Sequence, residues 1–155
     1  MRLKGKSIII TGGGSGIGLA CTKLFSNEGA QVAIFGRRQD RLNATVKEVG
    51  SQVLTVTGDL MVNSDLDNLV SKTLNAFGKI DIVVNNGGIF TGSPIHETND
   101  KDWDTIMNTN VRSAFQLTKR VLPHMMERKI GVFIHISSIA GLIAIPGVAA
   151  YNVSK

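Results

Sequence analysis

The sequence has 155 residues, 43% hydrophobic and 19% charged, the make-up of one ordinary globular domain large enough for a real core. Its longest apolar runs fall far short of the roughly 18 residues a membrane span requires. No secretory signal follows Arg2, Lys4 and Lys6, and the single cysteine, Cys21, excludes an internal disulfide and fits a reducing, cytoplasmic setting. The net charge of +5 is spread over scattered basic residues, with one Trp and one Tyr to stack on bases, so it reads as solvated faces rather than a nucleic-acid surface.

In chain order, strand and helix patterns alternate. The apolar run Ser7 to Ile10 predicts a buried strand, and Leu19 to Phe25 has apolar residues at helical spacing. Between them lies Thr11 to Gly18, TGGGSGIG. Glycines between a strand and a helix let the backbone turn sharply and let a pyrophosphate approach unpaired N–H groups at the helix N-terminus. Gly12, Gly16 and Gly18 are assigned to the turn, the close approach and the helix-to-strand packing. A nucleoside triphosphatase loop would close with Lys-Ser or Lys-Thr, and here Ile17-Gly18 follows Gly16. A methyl-donor site on a similar scaffold would carry a carboxylate after the second strand, where this chain has Gly36-Arg37-Arg38.

The first helix should end at Gly29, a left-handed cap, before a second buried strand from Gln31 to Phe35. A helix over Asp40 to Val49 with Leu42, Val46 and Val49 on one side, a strand over Val53 to Thr57, and a helix to Phe77 follow. That helix is expected to be capped by Asn63 or Ser64, the latter at capping-box spacing from Asp67. Ile80 to Val84 is the fourth strand, Thr98 or Asn99 opens a long helix toward Pro123, Val132 to Ile136 is the fifth strand, and a last helix starts near Ala149. Helical crossovers and continuously apolar strands imply a doubly wound parallel α/β sheet covered on both faces, with ligands at the carboxyl ends of its strands.

Several polar residues fall at those ends: Thr11 after the first strand, Asp59 after the third, Asn85 after the fourth, Ser137 and Ser138 after the fifth. All are expected to face one crevice, and singly each is as well explained by turn capping. Tyr151 and Lys155 lie one helical turn apart. Trp103 and Phe115 read as core or subunit contacts, His96, His124 and His135 have no metal-ligand spacing, and His135 is expected to be buried within its strand.

Taken together, these residues resemble a short-chain dehydrogenase/reductase, a family that includes 3-oxoacyl-acyl-carrier-protein reductases and glucose dehydrogenases. TGGGSGIG is similar to the family's TGxxxGxG loop, Asn85-Asn86-Gly87-Gly88 to its NNAG stretch with Gly87 in place of the commoner alanine, and Tyr151 to Lys155 to YxxxK, with Ser138 thirteen residues before the tyrosine. Asn110 matches the family's fourth catalytic position. The resemblance implies a Rossmann fold and an oxidoreductase that interconverts a ketone and a secondary alcohol. Tyr151 would be the general acid/base, and since a free phenol with a pKa of about 10 is a poor base, the Lys155 cation would favour its phenolate. Ser138 would hydrogen-bond the substrate oxygen, and Asn110 would hold a water passing protons between Lys155 and solvent.

The resemblance also implies cofactor contacts at Thr11, Gly12, Ser15, Gly16, Ile17 and Gly18, at Arg37 and Arg38, at Asp59 and Leu60, at Asn86 and Gly87, and from Tyr151 and Lys155. Asp59 would meet the adenine edge. With Gly36 and Arg37 where NAD binding calls for a carboxylate, NADP is favoured over NAD, although Ser15 stands where many NADP-using relatives carry a basic residue. Relatives run to roughly 250 residues in one domain, so residues 1–155 are expected to be its N-terminal part, with the fifth strand as an exposed apolar edge and little activity of their own. Relatives pair as dimers or tetramers through the long helix, and the small-molecule substrate, whether acyl thioester, sugar or polyol, is left open. A silent dinucleotide-binding, redox-sensing module is the alternative from another class.

Overall fold

The structure of the protein, a computed structural model, describes residues 1–50 and 52–155. The strands are β1 (Ser7–Thr11), β2 (Gln31–Gly36), β3 (Val53–Thr57), β4 (Ile82–Asn85) and β5 (Val132–His135). They form one parallel sheet in the order β3-β2-β1-β4-β5, with Ile9 in register with Ala33 on one side and Val83 on the other. The crossovers are α1 (Gly16–Asn27), α2 (Gln39–Val49), α3 (Asn63–Phe77), and a continuous helical stretch of α4 (Asp100–Ile106), a π-helical turn (Met107–Arg112) and α5 (Ser113–Arg128). A short helix, α6 (Ala149–Ser154), follows β5. The chain winds outward in opposite directions from β1, so a crevice opens at the carboxyl ends of β1 and β4.

The two-residue period of the strands explains their continuous apolar character. Ile9, Ala33, Phe35 and Val83 pack with Leu66 and Leu69 of α3 and Leu117 and Val121 of α5 on one face. Ile8, Ile10, Val32, Ile34 and Val84 pack with Leu42 of α2 on the other, with Cys21 and Phe25 of α1 beside them. Each fully buried Ile or Leu contributes about 2 kcal/mol. At β5, Phe133 joins the first cluster, whereas Val132 and Ile134 on the opposite face stay 49% and 37% exposed.

Three local expectations need correction. Neither Ser64 nor Asp67 forms a capping box: α3 is preceded by Val62 with no side-chain cap, because Asp67 and the Asn63 side chain are both taken by Arg120 of α5, at 2.7 and 3.2 Å. The long helix passes Pro123 and runs to Arg128, since Pro123 is exposed while Val121 and Met125 beside it are buried, and their packing outweighs one missing N–H. His135 is exposed, not buried: it shares the Phe133 face of β5, but at the strand's end it borders a hollow beside Phe115 and Thr118 of α5 instead of packing under the helix; its Nδ1 lies 3.4 Å from Asn85 Nδ2. The long helix does begin at Asn99, whose side chain accepts from Asp102 N–H at 2.9 Å. At the far end of the sheet, buried Asp81 accepts from Ser7 N–H at 3.0 Å and pairs with Lys79 at 3.3 Å and with Arg128, tying β1 and β4 to the end of α5.

Candidate functional site

At Gly12 and Gly18 the glycine loop is built by contacts that leave no room for side chains. Gly12 takes φ +68° as its N–H donates to Phe35 O at 2.8 Å, and a Cβ on Gly18 would sit inside the contact shell of Gly12 O. The loop is locked to β4 by Thr11, which is 2% exposed: its Oγ1 accepts from Asn86 N–H at 3.0 Å and Gly87 N–H at 2.8 Å, while Asn86 Nδ2 donates to Thr11 O at 2.9 Å. Thr11 and Asn86 thereby shape the loop. Helix α1 starts at Ser15 without any side-chain cap, so the first-turn N–H groups beside exposed Ser15, Gly16 and Ile17 are not claimed by a capping side chain.

This helix end opens on a cleft of about 290 Å³, lined by Gly12, Gly14 and Ser15, by Gly36, Arg37, Arg38 and Arg41, and by Asp59, Leu60, Gly87 and Gly88. Among the described residues none of the three arginines is ion-paired. Asp59 Oδ1 accepts from Met61 N–H at 2.9 Å and its own N–H is held by Asp65 at 2.8 Å, which orders the turn after β3.

The polar strand-end residues are spread over two adjoining hollows. Asp59 lines the cleft above, whereas Thr11, Asn85 and Ser137 border a second hollow of about 410 Å³ between α5 and the ends of β4 and β5, together with Asn110 and Lys155. The two hollows meet at Gly87, which lines both. Beside it, a Cβ on Gly88 would lie 3.0 Å from Asn110 Oδ1 and 3.6 Å from Lys155 Nζ.

Asn110 sits in the π-helical turn, and its amide clamps both backbone groups of Ile89: Oδ1 accepts from Ile89 N–H at 2.8 Å and Nδ2 donates to Ile89 O at 2.9 Å. The other Nδ2 hydrogen goes to Ser154 Oγ at 2.9 Å, so of the amide only one Oδ1 lone pair remains for a water. Ser154 Oγ in turn donates to Tyr151 O at 2.9 Å. Lys155 Nζ donates to Ile136 O at 3.0 Å and lies 5.7 Å from the Tyr151 ring centroid. Ser138 opens a 3₁₀ turn (Ile139–Gly141) that packs on α6, and its Oγ accepts from Ala140 N–H at 3.2 Å, leaving its own proton free to donate. Ser137 Oγ donates to Lys155 O at 2.8 Å.

Two residues at this site stand outside the expected set. Arg41 lies in the first turn of α2, which begins at Gln39, and this start brings it to the cleft; the Arg37-Arg38 pair gave the signal, and the helix start extends it. Phe90 meets Tyr151 edge to face, a contact that depends on the path of the loop after β4 and has no sequence signal. No group of three or more metal-ligating side chains occurs among the described residues, and no described helix is long and apolar enough to cross a membrane.

Comparison with known proteins agrees with this geometry. The family model for short chain dehydrogenase matches residues 6–155. A Thermotoga maritima protein named uncharacterized oxidoreductase is 40% identical over all of this chain and 62% of its own length, and the 3-oxoacyl-[acyl-carrier-protein] reductase FabG of the same organism is 36% identical over all of this chain and 64% of its own. A crystal structure of a short chain dehydrogenase from Bacillus anthracis superposes with a TM-score of 0.94 at 29% identity, covering 99% of this chain and 65% of that one. The chain thus spans a little under two thirds of the length of these relatives. With the doubly wound sheet, the glycine loop and the Tyr151/Lys155 helix all in their expected order, the chain belongs to the short-chain dehydrogenase family.

Proposed function

We propose that the protein is an NADP-dependent oxidoreductase that interconverts a ketone and a secondary alcohol, with Tyr151 moving the proton. The observation that carries this reading is the junction at Gly88: it lines the glycine and arginine cleft, and a Cβ built on it would stand 3.6 Å from Nζ of Lys155, the lysine that neighbours Tyr151. The cleft suits a dinucleotide. The first turn of α1 lacks a capping side chain and so has N–H groups to offer a pyrophosphate, and Arg37, Arg38 and Arg41, without carboxylate partners among the described residues, suit a ribose 2′-phosphate better than bare hydroxyls.

When bound, the cofactor supplies or accepts the hydride. The chain's own residues supply position and a proton. Tyr151 gives its phenolic proton to the carbonyl oxygen as that oxygen gains charge, or removes one from the alcohol in reverse. The Lys155 ammonium stabilises the phenolate left behind. Ser138 directs its free proton at the same oxygen and fixes it for attack. Asn110 holds the loop at Ile89 and offers its remaining lone pair to a water on the path to solvent.

The exposed stripe of Val111, Phe115, Leu122 and Met126 at helical spacing favours pairing with a second copy through the long helix. We assign the protein to a reducing compartment, the cytoplasm, on its lone partly buried Cys21.

The test is cofactor oxidation by the full-length protein with NADPH and a ketone panel of ethyl acetoacetate, cyclohexanone and acetoacetyl-CoA. Tyr151→Phe should abolish turnover while NADPH binding, followed by fluorescence, is retained. Turnover within tenfold of the starting protein would remove Tyr151 from its role, and NADPH binding with no turnover of any ketone would favour the silent binding module.

A further inference from the structure

Tyr151 is held without help from its own hydroxyl. Among the described residues that hydroxyl makes no hydrogen bond, so no hydrogen bond of its own sets how the ring is turned. The Lys155 ammonium lies 5.7 Å from the ring centroid, and the Phe90 ring meets the ring itself, with centroids 5.0 Å apart and the planes at 78°. That is the edge-to-face arrangement in which the positive rim of one ring meets the negative face of the other.

Phe90 is 61% exposed and belongs to neither core cluster, so its contact with Tyr151 is not a by-product of core packing. Its place is nevertheless fixed from both sides. Ile89, immediately before it, has both backbone groups bonded to Asn110, and Ser93, three residues on, forms a parallel bridge with Val148, the residue that opens α6. Between them Gly92 backs onto the Gly147 carbonyl. The Asn110 amide that fixes the loop carrying Phe90 also bonds Ser154, which bonds the Tyr151 carbonyl, so loop and helix are referenced to one side chain.

We propose that Phe90 is a positioning residue for Tyr151: pinned between Asn110 and Val148, its ring holds the phenol in the orientation from which the proton is transferred. This rests on Tyr151 being the proton donor. Loss of the ring frees the phenol to turn away, and a small misplacement of a reacting group lowers the rate of the chemical step without weakening substrate capture.

The experiment compares Phe90→Leu and Phe90→Tyr, using whichever of the three panel ketones the starting protein reduces fastest. Phe90→Leu should lower kcat about tenfold or more with KM changed less than about twofold, and Phe90→Tyr, which keeps the ring edge, should return kcat to within about threefold. A rise in KM with kcat intact would make Phe90 a wall of the substrate pocket and overturn the proposal, as would equal loss in both variants. In parallel, NMR of protein labelled with ring-¹³C tyrosine, the Tyr151 signals identified by their loss in Tyr151→Phe, should show them moving in Phe90→Leu and staying in Phe90→Tyr. Unmoved signals in Phe90→Leu would overturn the contact itself, with or without turnover. If Tyr151→Phe keeps its activity, the proton assignment has failed instead, and the two failures are told apart.

Discussion

A Cβ placed on Gly18 would penetrate the contact shell of the Gly12 carbonyl oxygen and stand 2.7 Å from Asn86 Nδ2. The start of α1 is thus pressed against the turn that leaves β1, and the obstacle is backbone, which cannot swing aside. Gly18→Ala should therefore destabilise the protein by about 2 kcal/mol or more and abolish NADPH binding. Gly16 makes a control. A Cβ there would meet nothing within 4 Å, but φ is +52°, so Gly16→Ala should cost only about 1 kcal/mol of left-handed strain. Urea unfolding and NADPH fluorescence titration check both, and equal effects would show that contact is not what separates them.

Much of this fold was legible because burial on two faces leaves strands such as Ile8 to Ile10 and Val32 to Phe35 without polar interruptions, and glycines punctuate them. What escaped was whatever depends on a partner distant in sequence. Ser64 and Asp67 have capping-box spacing, yet Arg120, 53 residues past Asp67, takes that carboxylate, and nothing local announces it. His135 sits in an apolar run that looks buried, but it ends the strand and borders the hollow beside α5 that Phe133, two residues earlier, does not reach. The π-helical turn at Met107–Arg112 leaves the apolar spacing almost unchanged, so the clamp it lets Asn110 place on Ile89 was equally hidden. The strand-end polar residues divide between two hollows that meet at Gly87, a division that depends on how the turn after β3 is ordered by Asp65 and Met61.

Thr11 offers a test of the joint between β1 and β4. One buried oxygen serves the N–H groups of Asn86 and Gly87, so the nearly isosteric Thr11→Val strands two donors. It should cost about 2 kcal/mol of stability and weaken NADPH binding, while Thr11→Ser keeps most of both. A Val variant as stable as the starting protein in urea would show that water replaces the hydroxyl.

The arginines at the end of the cleft predict a cofactor preference. Arg37→Ala and Arg41→Ala should each weaken NADP binding about tenfold and leave NAD binding within about twofold, because only the 2′-phosphate carries the charge they meet. The NADP affinity should also fall with added salt, since all three side chains are exposed. Calorimetric titration with both dinucleotides decides, and equal loss of both from Arg41→Ala would place that residue outside the phosphate site.

Asp81 makes the pH dependence of stability predictable. Burial by itself raises its pKa, but the hydrogen bonds from Arg128, from Ser7 N–H and from Lys79 outweigh it, and the carboxyl titrates below its usual range. A folded-state pKa below the unfolded one means the unfolded chain binds the proton more tightly, so the contribution is complete above the ordinary carboxylate range near about 4 and is lost as pH falls through the lower folded value. Asp81→Asn leaves the Arg128 charge without its partner at the base of the sheet and should cost about 3 kcal/mol at neutral pH. Its penalty should shrink as the pH is lowered, because the carboxylate it lacks is by then protonated in the starting protein too. Urea midpoints for both proteins from neutral to acid pH measure this directly, and a penalty that stays constant down to the lowest pH at which the starting protein folds would show that Asp81 acts through shape rather than charge.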